Sequence, residues 1–165
     1  MNSSQATGAA PLNLAILIKL LRPRQWTKNL IAFAPILFAG RMLDGDALLH
    51  ASMCVVALCL ISGSVYVFND IIDVEADRKH PTKCKRPIAA NLVSVRTASV
   101  VASFAMLASF VIAYLTRPAL GLVLLAYLLL QTAYILKLKQ RIILDVFCIA
   151  AGFVLRALAG GAAAH

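Results

Sequence analysis

The segment Asn69-Asp70-Ile71-Ile72-Asp73-Val74-Glu75-Ala76-Asp77-Arg78-Lys79-His80-Pro81 concentrates acids at the end of an apolar run. Asp70, Asp73 and Asp77 are spaced i, i+3 and i+7, which places three carboxylates on one face of a helix at 3.6 residues per turn. Asn69 lies four residues before Asp73 and shares that edge. Glu75 points elsewhere and reads as a solvated charge. Carboxylates stacked on one face repel one another, and ionisable groups beside a membrane are costly and usually functional. A hard divalent cation compensates them: magnesium takes oxygen ligands, typically one or two carboxylates plus substrate phosphates. Arg78, Lys79, Lys83, Lys85 and Arg86 follow at once and suit the phosphate oxygens a metal leaves uncovered. Acids for a metal followed by bases for an anion are what a diphosphate site needs. The bland alternative for the bases is a solvated loop between two spans; the in-phase acids argue against it.

The elements that carry these residues are membrane helices. Of the 165 residues 61% are hydrophobic and 14% charged, against about 25% charged in a soluble domain. Mean hydropathy is +0.85. A soluble globular domain and a disordered chain are both excluded, and an all-α integral membrane bundle is expected. Runs of helical length without period-two alternation argue against a transmembrane barrel. Residues 1–11 read as a disordered lead without signal-peptide character, and 12–165 as one polytopic domain. Leu12 to Leu21 is too short to span and reads as an interfacial helix with Lys19, Arg22 and Arg24 facing headgroups and Trp26 as an aromatic anchor. About five spans follow: Lys28 to Leu43 (short and carrying Pro35), Ala47 to Phe68, Leu92 to Leu115, Pro118 to Leu136 and Ile142 to Ala164.

The net charge of +9 is mostly a topology signal. Thirteen of the sixteen cations fall before the first span, between the second and third, or between the fourth and fifth. The positive-inside rule then puts the amino terminus in the cytoplasm, and nucleic acid drops out as a partner. Cys54, Cys59, Cys84 and Cys148 show neither a disulfide framework nor metal-ligand spacing.

Asn69-Asp70-x-x-Asp73-x-x-x-Asp77, continued by Arg78-x-His80-Pro81-x-Lys83-x-x-Arg86-Pro87-Ile88-Ala89, resembles the first aspartate-rich motif of the UbiA-type membrane prenyltransferase superfamily. Leu21 to Asn29 with Phe33-Ala34-Pro35, and Leu144 to Phe147 through Gly152 to Ala157, are most similar to its decaprenyl-phosphate phosphoribosyltransferase subgroup. The resemblance covers nearly the whole chain from Leu14. It implies a magnesium-dependent transferase of the plasma membrane. The donor would be 5-phosphoribose 1-diphosphate, the acceptor a polyprenyl phosphate, and the product a precursor of cell-wall arabinan. It implies Asp70, Asp73 and Asp77 as catalytic metal ligands with Asn69 beside them. Lys28, Lys83 and Arg86 would hold donor phosphates, assisted by a Tyr134/Lys139 pair. Prenyl transfer from a polyprenyl diphosphate to an aromatic acceptor, and a non-catalytic or ion-handling segment, remain open alternatives. Family members have about nine spans and a second acidic motif in their later half, so a truncated chain, inactive alone, is the expectation.

Four smaller features accompany the motif. Asp145 would pair with a loop cation or approach the metal. Arg156, deep in the fifth span, should find an acid or a carbonyl. His50 and His165 read as surface residues, and His80 as a cap on the acidic helix.

Overall fold

The computed structural model describes residues 14–136 and 142–164. The disordered-lead reading of residues 1–11, and the roles given to Lys139 and His165, lie outside the described residues. The architecture is helical throughout the described residues: α1 (Leu14–Leu20), a 3-10 helix (Pro23–Phe33), α2 (Ala34–Phe38), α3 (Gly45–Ile72), α4 (Val74–Lys79), a single 3-10 turn (Lys83–Lys85), α5 (Val95–Thr116), α6 (Pro118–Leu136) and α7 (Ile142–Ala164).

Capping and proline chemistry set several boundaries. Asp44 accepts from the amides of Asp46 and Ala47 and starts α3; Ser94 accepts from the Thr97 amide and starts α5. Gly40, at φ +67°, closes α2 in the left-handed conformation that glycine tolerates. Pro118 forces Arg117 into extended backbone (φ −161°, ψ 133°), which ends α5 and opens α6 one residue later.

Among the described residues four helices are long and apolar enough to cross a membrane: α3, α5, α6 and the Leu144–Ala164 part of α7. The segment expected as a first spanning α-helix is different. It is an eleven-residue 3-10 helix continued by the five-residue α2. At about 2.0 Å per residue for the first and 1.5 Å for the second, these sixteen residues rise about 30 Å, a hydrocarbon thickness. They run the length of the bundle: Arg22 at one end bonds Asp70 near the carboxyl end of α3, while Arg41 at the other bonds Asp44 before α3 begins. The tighter winding stretches a sequence too short to span as an α-helix.

Helix α3 is the hub, packed against α5, α6, α7 and the 3-10 helix. Lipid supplies no hydrophobic drive between helices, so close packing of small residues and interhelical hydrogen bonds must hold them. On α5 the buried residues Ala98, Ala102, Ala105, Ser109 and Ala113 form such a seam, and Ser109 Oγ donates to the Ala57 carbonyl of α3 at 2.8 Å. Gly160 of α7 lies so close to the 3-10 helix that a Cβ there would meet the Ala32 carbonyl oxygen at 1.9 Å. Large apolar side chains such as Phe104, Leu122, Leu129 and Phe147 point outward, as a lipid-facing surface requires. Cys54, Cys59 and Cys148 are buried and free, small apolar fillers of the helix contacts.

Candidate active site

The aspartates occupy the junction between α3 and α4, and the helix does not run through it. Asp73 caps the carboxyl end of α3 at φ −89°, ψ 5°, and α4 starts afresh at Val74. The three carboxylates therefore do not sit on one uninterrupted helix, although the Asp73 amide donates to the Asn69 carbonyl and the Asp77 amide to the Asp73 carbonyl across the junction. At about 100° per residue, Asp70 and Asp77 are nearly in phase while Asp73 lies about 60° away, on the side of Asn69. The break preserves that division and the two pairs take different surroundings.

Asp70 and Asp77 are buried and held by arginine. Arg86 Nη1 bonds Asp70 Oδ1 at 3.0 Å and also Asp77 Oδ2, and Arg22 Nη2 bonds the same Asp70 oxygen. Arg22 sits at φ 53°, ψ 63° before Pro23, a left-handed conformation rare for a side-chain-bearing residue, and its guanidinium lies 5.0 Å from the Tyr66 ring centroid. Arg22, expected to face headgroups, thus turns inward to fix the motif. Arg86, expected on a donor phosphate, is engaged with carboxylates.

Asn69 and Asp73 instead line a cavity of about 620 Å³ between α3, α6, α7 and the 3-10 helix. Its other polar wall carries Arg22, Lys28, Lys83 and Arg156, with Tyr134 and Gln131. Lys28, Lys83 and Arg156, with Arg22 shared with Asp70, outweigh the Asp73 carboxylate and give the cavity a positive lining suited to a polyanion. Of the five residues expected to bind phosphate, Lys28, Lys83 and Tyr134 line it, Arg86 does not, and Lys139 is not described. A second cavity of about 570 Å³ lies on the far side of Arg22, lined by Lys19, Arg24, Lys85, Arg86 and Asp70.

Among the described residues no group of three or more His, Cys, Asp and Glu is placed to hold an ion by itself. Asn69 and Asp73 together supply two oxygen donors to the cavity, which fits magnesium shared with substrate phosphates rather than caged by protein. They are the residues that would hold it; Asp70 and Asp77 stand behind them, tied to arginines.

Sequence reasoning missed one cluster. Arg156 does meet a carbonyl, as expected, that of the Asn29 side chain: its Nε donates to Asn29 Oδ1 at 2.9 Å, and its Nη2 donates to the Tyr127 hydroxyl at 2.8 Å. Asn29 Nδ2 reaches Cys59 Sγ and Ser62 Oγ, each at 3.3 Å, and Gln131 Nε2 donates to the Tyr127 hydroxyl at 2.9 Å. The only available signal was Tyr127 and Gln131, four apart in an apolar span. Tyr134 donates to Asp145 Oδ1 at 2.7 Å, joining α6 to α7, while the loop cations expected as partners of Asp145 lie outside the described residues. His80 caps α4, and its Nδ1 accepts from the Thr82 and Lys83 amides. Glu75 is exposed and pairs with Arg78 at 2.6 Å.

The pattern shared by the UbiA prenyltransferase family matches residues 30–165. The chain belongs to the UbiA prenyltransferase family. It is 42% identical to the decaprenyl-phosphate phosphoribosyltransferase of Mycolicibacterium smegmatis over 98% of this chain and 52% of that relative. It is 38% identical to the protein of that name from Corynebacterium glutamicum over 93% of this chain and 48% of that one. The chain thus spans about half the length of the curated relatives it matches. The solved structure of a UbiA homolog from Archaeoglobus fulgidus bound to GPP and Mg2+ shares the fold with a TM-score of 0.72 at 22% identity, over 91% of this chain and 54% of that one. This UbiA-family chain is a multi-pass membrane protein.

Proposed function

We propose that the complete protein transfers 5-phosphoribose from 5-phosphoribose 1-diphosphate to a polyprenyl phosphate and releases diphosphate, supplying a cell-wall arabinan precursor. The relatives of that name support the reading, and the observation that carries it is the cavity. Asn69 and Asp73 stand there with Arg22, Lys28 and Lys83, oxygen donors for magnesium beside cations for a diphosphate. The donor's C1–O bond breaks as an oxygen of the acceptor phosphate attacks C1. Lys28 and Lys83 meet the negative charge growing on the departing diphosphate, placed in advance of the reaction. Asn69 and Asp73 would hold Mg2+, which would supply Lewis-acid charge to the leaving group. The acceptor phosphate is already anionic, so no general base is required. Its tail lies along the apolar helix faces. The protein sits in the plasma membrane with the site on the cytoplasmic side.

Membranes carrying the complete gene are expected to convert labelled 5-phosphoribose 1-diphosphate and decaprenyl phosphate into a lipid-linked phosphosugar, and Asp73→Ala abolishes the product. Unchanged turnover in that variant refutes the role given to Asp73. Prenylation of an aromatic acid instead, with no phosphoribosyl product, refutes the reaction itself.

A further inference from the structure

Arg156 is 5% exposed and deep in α7, and no carboxylate among the described residues pairs with it. Among the described residues the ion pairs join Arg22, Arg41, Arg78 and Arg86 to acids; none includes Arg156. Its protein partners are neutral: Asn29 Oδ1, the Tyr127 hydroxyl, and the Tyr127 and Phe153 ring faces at 5.0 and 5.4 Å. A guanidinium at membrane depth with no anion is costly unless it lines a polar cavity. Arg156 does line the cavity. Its Nη1 makes none of the hydrogen bonds described, yet no described buried side-chain nitrogen or oxygen lacks a partner, so Nη1 is open to that space. Gly152, on the same wall, leaves the opening clear: a Cβ there would stand 3.3 Å from Nη1.

The depth of this cation is fixed by Asn29, which reaches Ser62 on α3. Asn69 follows Ser62 by seven residues, about 10 Å at 1.5 Å per residue. The cavity therefore has two polar poles, the Asn69/Asp73 end and the Arg156 end. A prenyl diphosphate would lay apolar carbons against the inner pole. A sugar diphosphate that also carries a phosphomonoester puts an anion at each.

We propose that Arg156, held by Asn29 and Tyr127, binds the phosphomonoester of the donor at its end remote from the diphosphate. It thereby selects sugar-phosphate over prenyl diphosphates. The assignment rests on the phosphoribosyl reading above. Displacement of labelled 5-phosphoribose 1-diphosphate from the complete purified protein, with Mg2+ present, separates the poles. Ribose 5-phosphate and inorganic diphosphate are the two competitors. Arg156→Gln is expected to weaken ribose 5-phosphate by about tenfold or more, the weight of one charge-assisted hydrogen bond, and to leave diphosphate unchanged. Asp73→Asn gives the reverse, and Arg156→Lys restores part of the loss. Gly152→Ala, which narrows the opening while the Arg156 clamp stays, weakens ribose 5-phosphate selectively and serves if Arg156→Gln does not fold. Equal weakening of both competitors, or none of ribose 5-phosphate, overturns the assignment while the phosphoribosyl reading survives. Wild-type protein that binds geranyl diphosphate but no 5-phosphoribose 1-diphosphate overturns both.

Discussion

Arg86 and Asp73 stand thirteen positions apart in the sequence and have opposite jobs. Arg86 is the shared counter-charge of two carboxylates whose side chains are 5% and 3% exposed. Its removal leaves Asp77 without a cation and Asp70 with Arg22 alone, and Arg86→Ala should cost about 3 kcal/mol, read as a clear fall in melting temperature in detergent. Asp73→Asn should remove the stabilisation that Mg2+ with diphosphate confers, which Arg86→Ala should leave in place. A thermal-shift series with and without that ligand pair distinguishes the two, and similar behaviour of both variants would contradict the division of the motif. The acidic motif itself was plain in the sequence, because residue type and spacing are written there. Its division was legible in part: the phase difference between Asp70/Asp77 and Asn69/Asp73 follows from helical geometry. The arginine that takes Asp70, forty-eight residues earlier, does not, since nothing local marks Arg22 as turning inward.

Among the elements, the long apolar helices were readable because lipid imposes length and composition on them. The 3-10 helix was not, because the same residues fit a short α-helix and only tertiary packing favours the tighter winding. Its contact with α7 depends on a missing side chain. Gly160→Ala sets a methyl group against the Ala32 carbonyl and should destabilise the bundle by about 1–3 kcal/mol or more. Gly121→Ala, with open space around the added carbon, should be neutral or slightly stabilising by relief of glycine's backbone entropy. Thermal melts of the pair in one detergent check both. At the start of α3, the Arg41 guanidinium and the Ala47 and Asp46 amides hold Asp44 below its usual carboxylate value of 3.8. A lowered folded-state value means that this cap stabilises above the unfolded pKa and is lost as pH falls through the folded one. The melting temperature of Asp44→Asn should accordingly vary less than wild type below pH 4, the ordinary range for aspartate.

For the whole molecule, the segregation of cations to one end is both the orientation signal and the source of the cavity's charge. Cys84, on the basic loop, is the most accessible cysteine described, the other three being buried in helices. A membrane-impermeant maleimide should label Cys84 in inside-out vesicles and fail in right-side-out cells; the opposite pattern would invert the proposed orientation. The 3-10 helix connects these scales. With three residues per turn its side chains stand in straight columns, and Trp26, Asn29 and Ala32 share one. That single column bonds back to the Leu21 carbonyl through the indole, grips Arg156 through the amide and seats α7 at Gly160. One inserted residue would swing it by about 120° and unlatch three joints together, so this stretch should tolerate substitution far better than any change in its length.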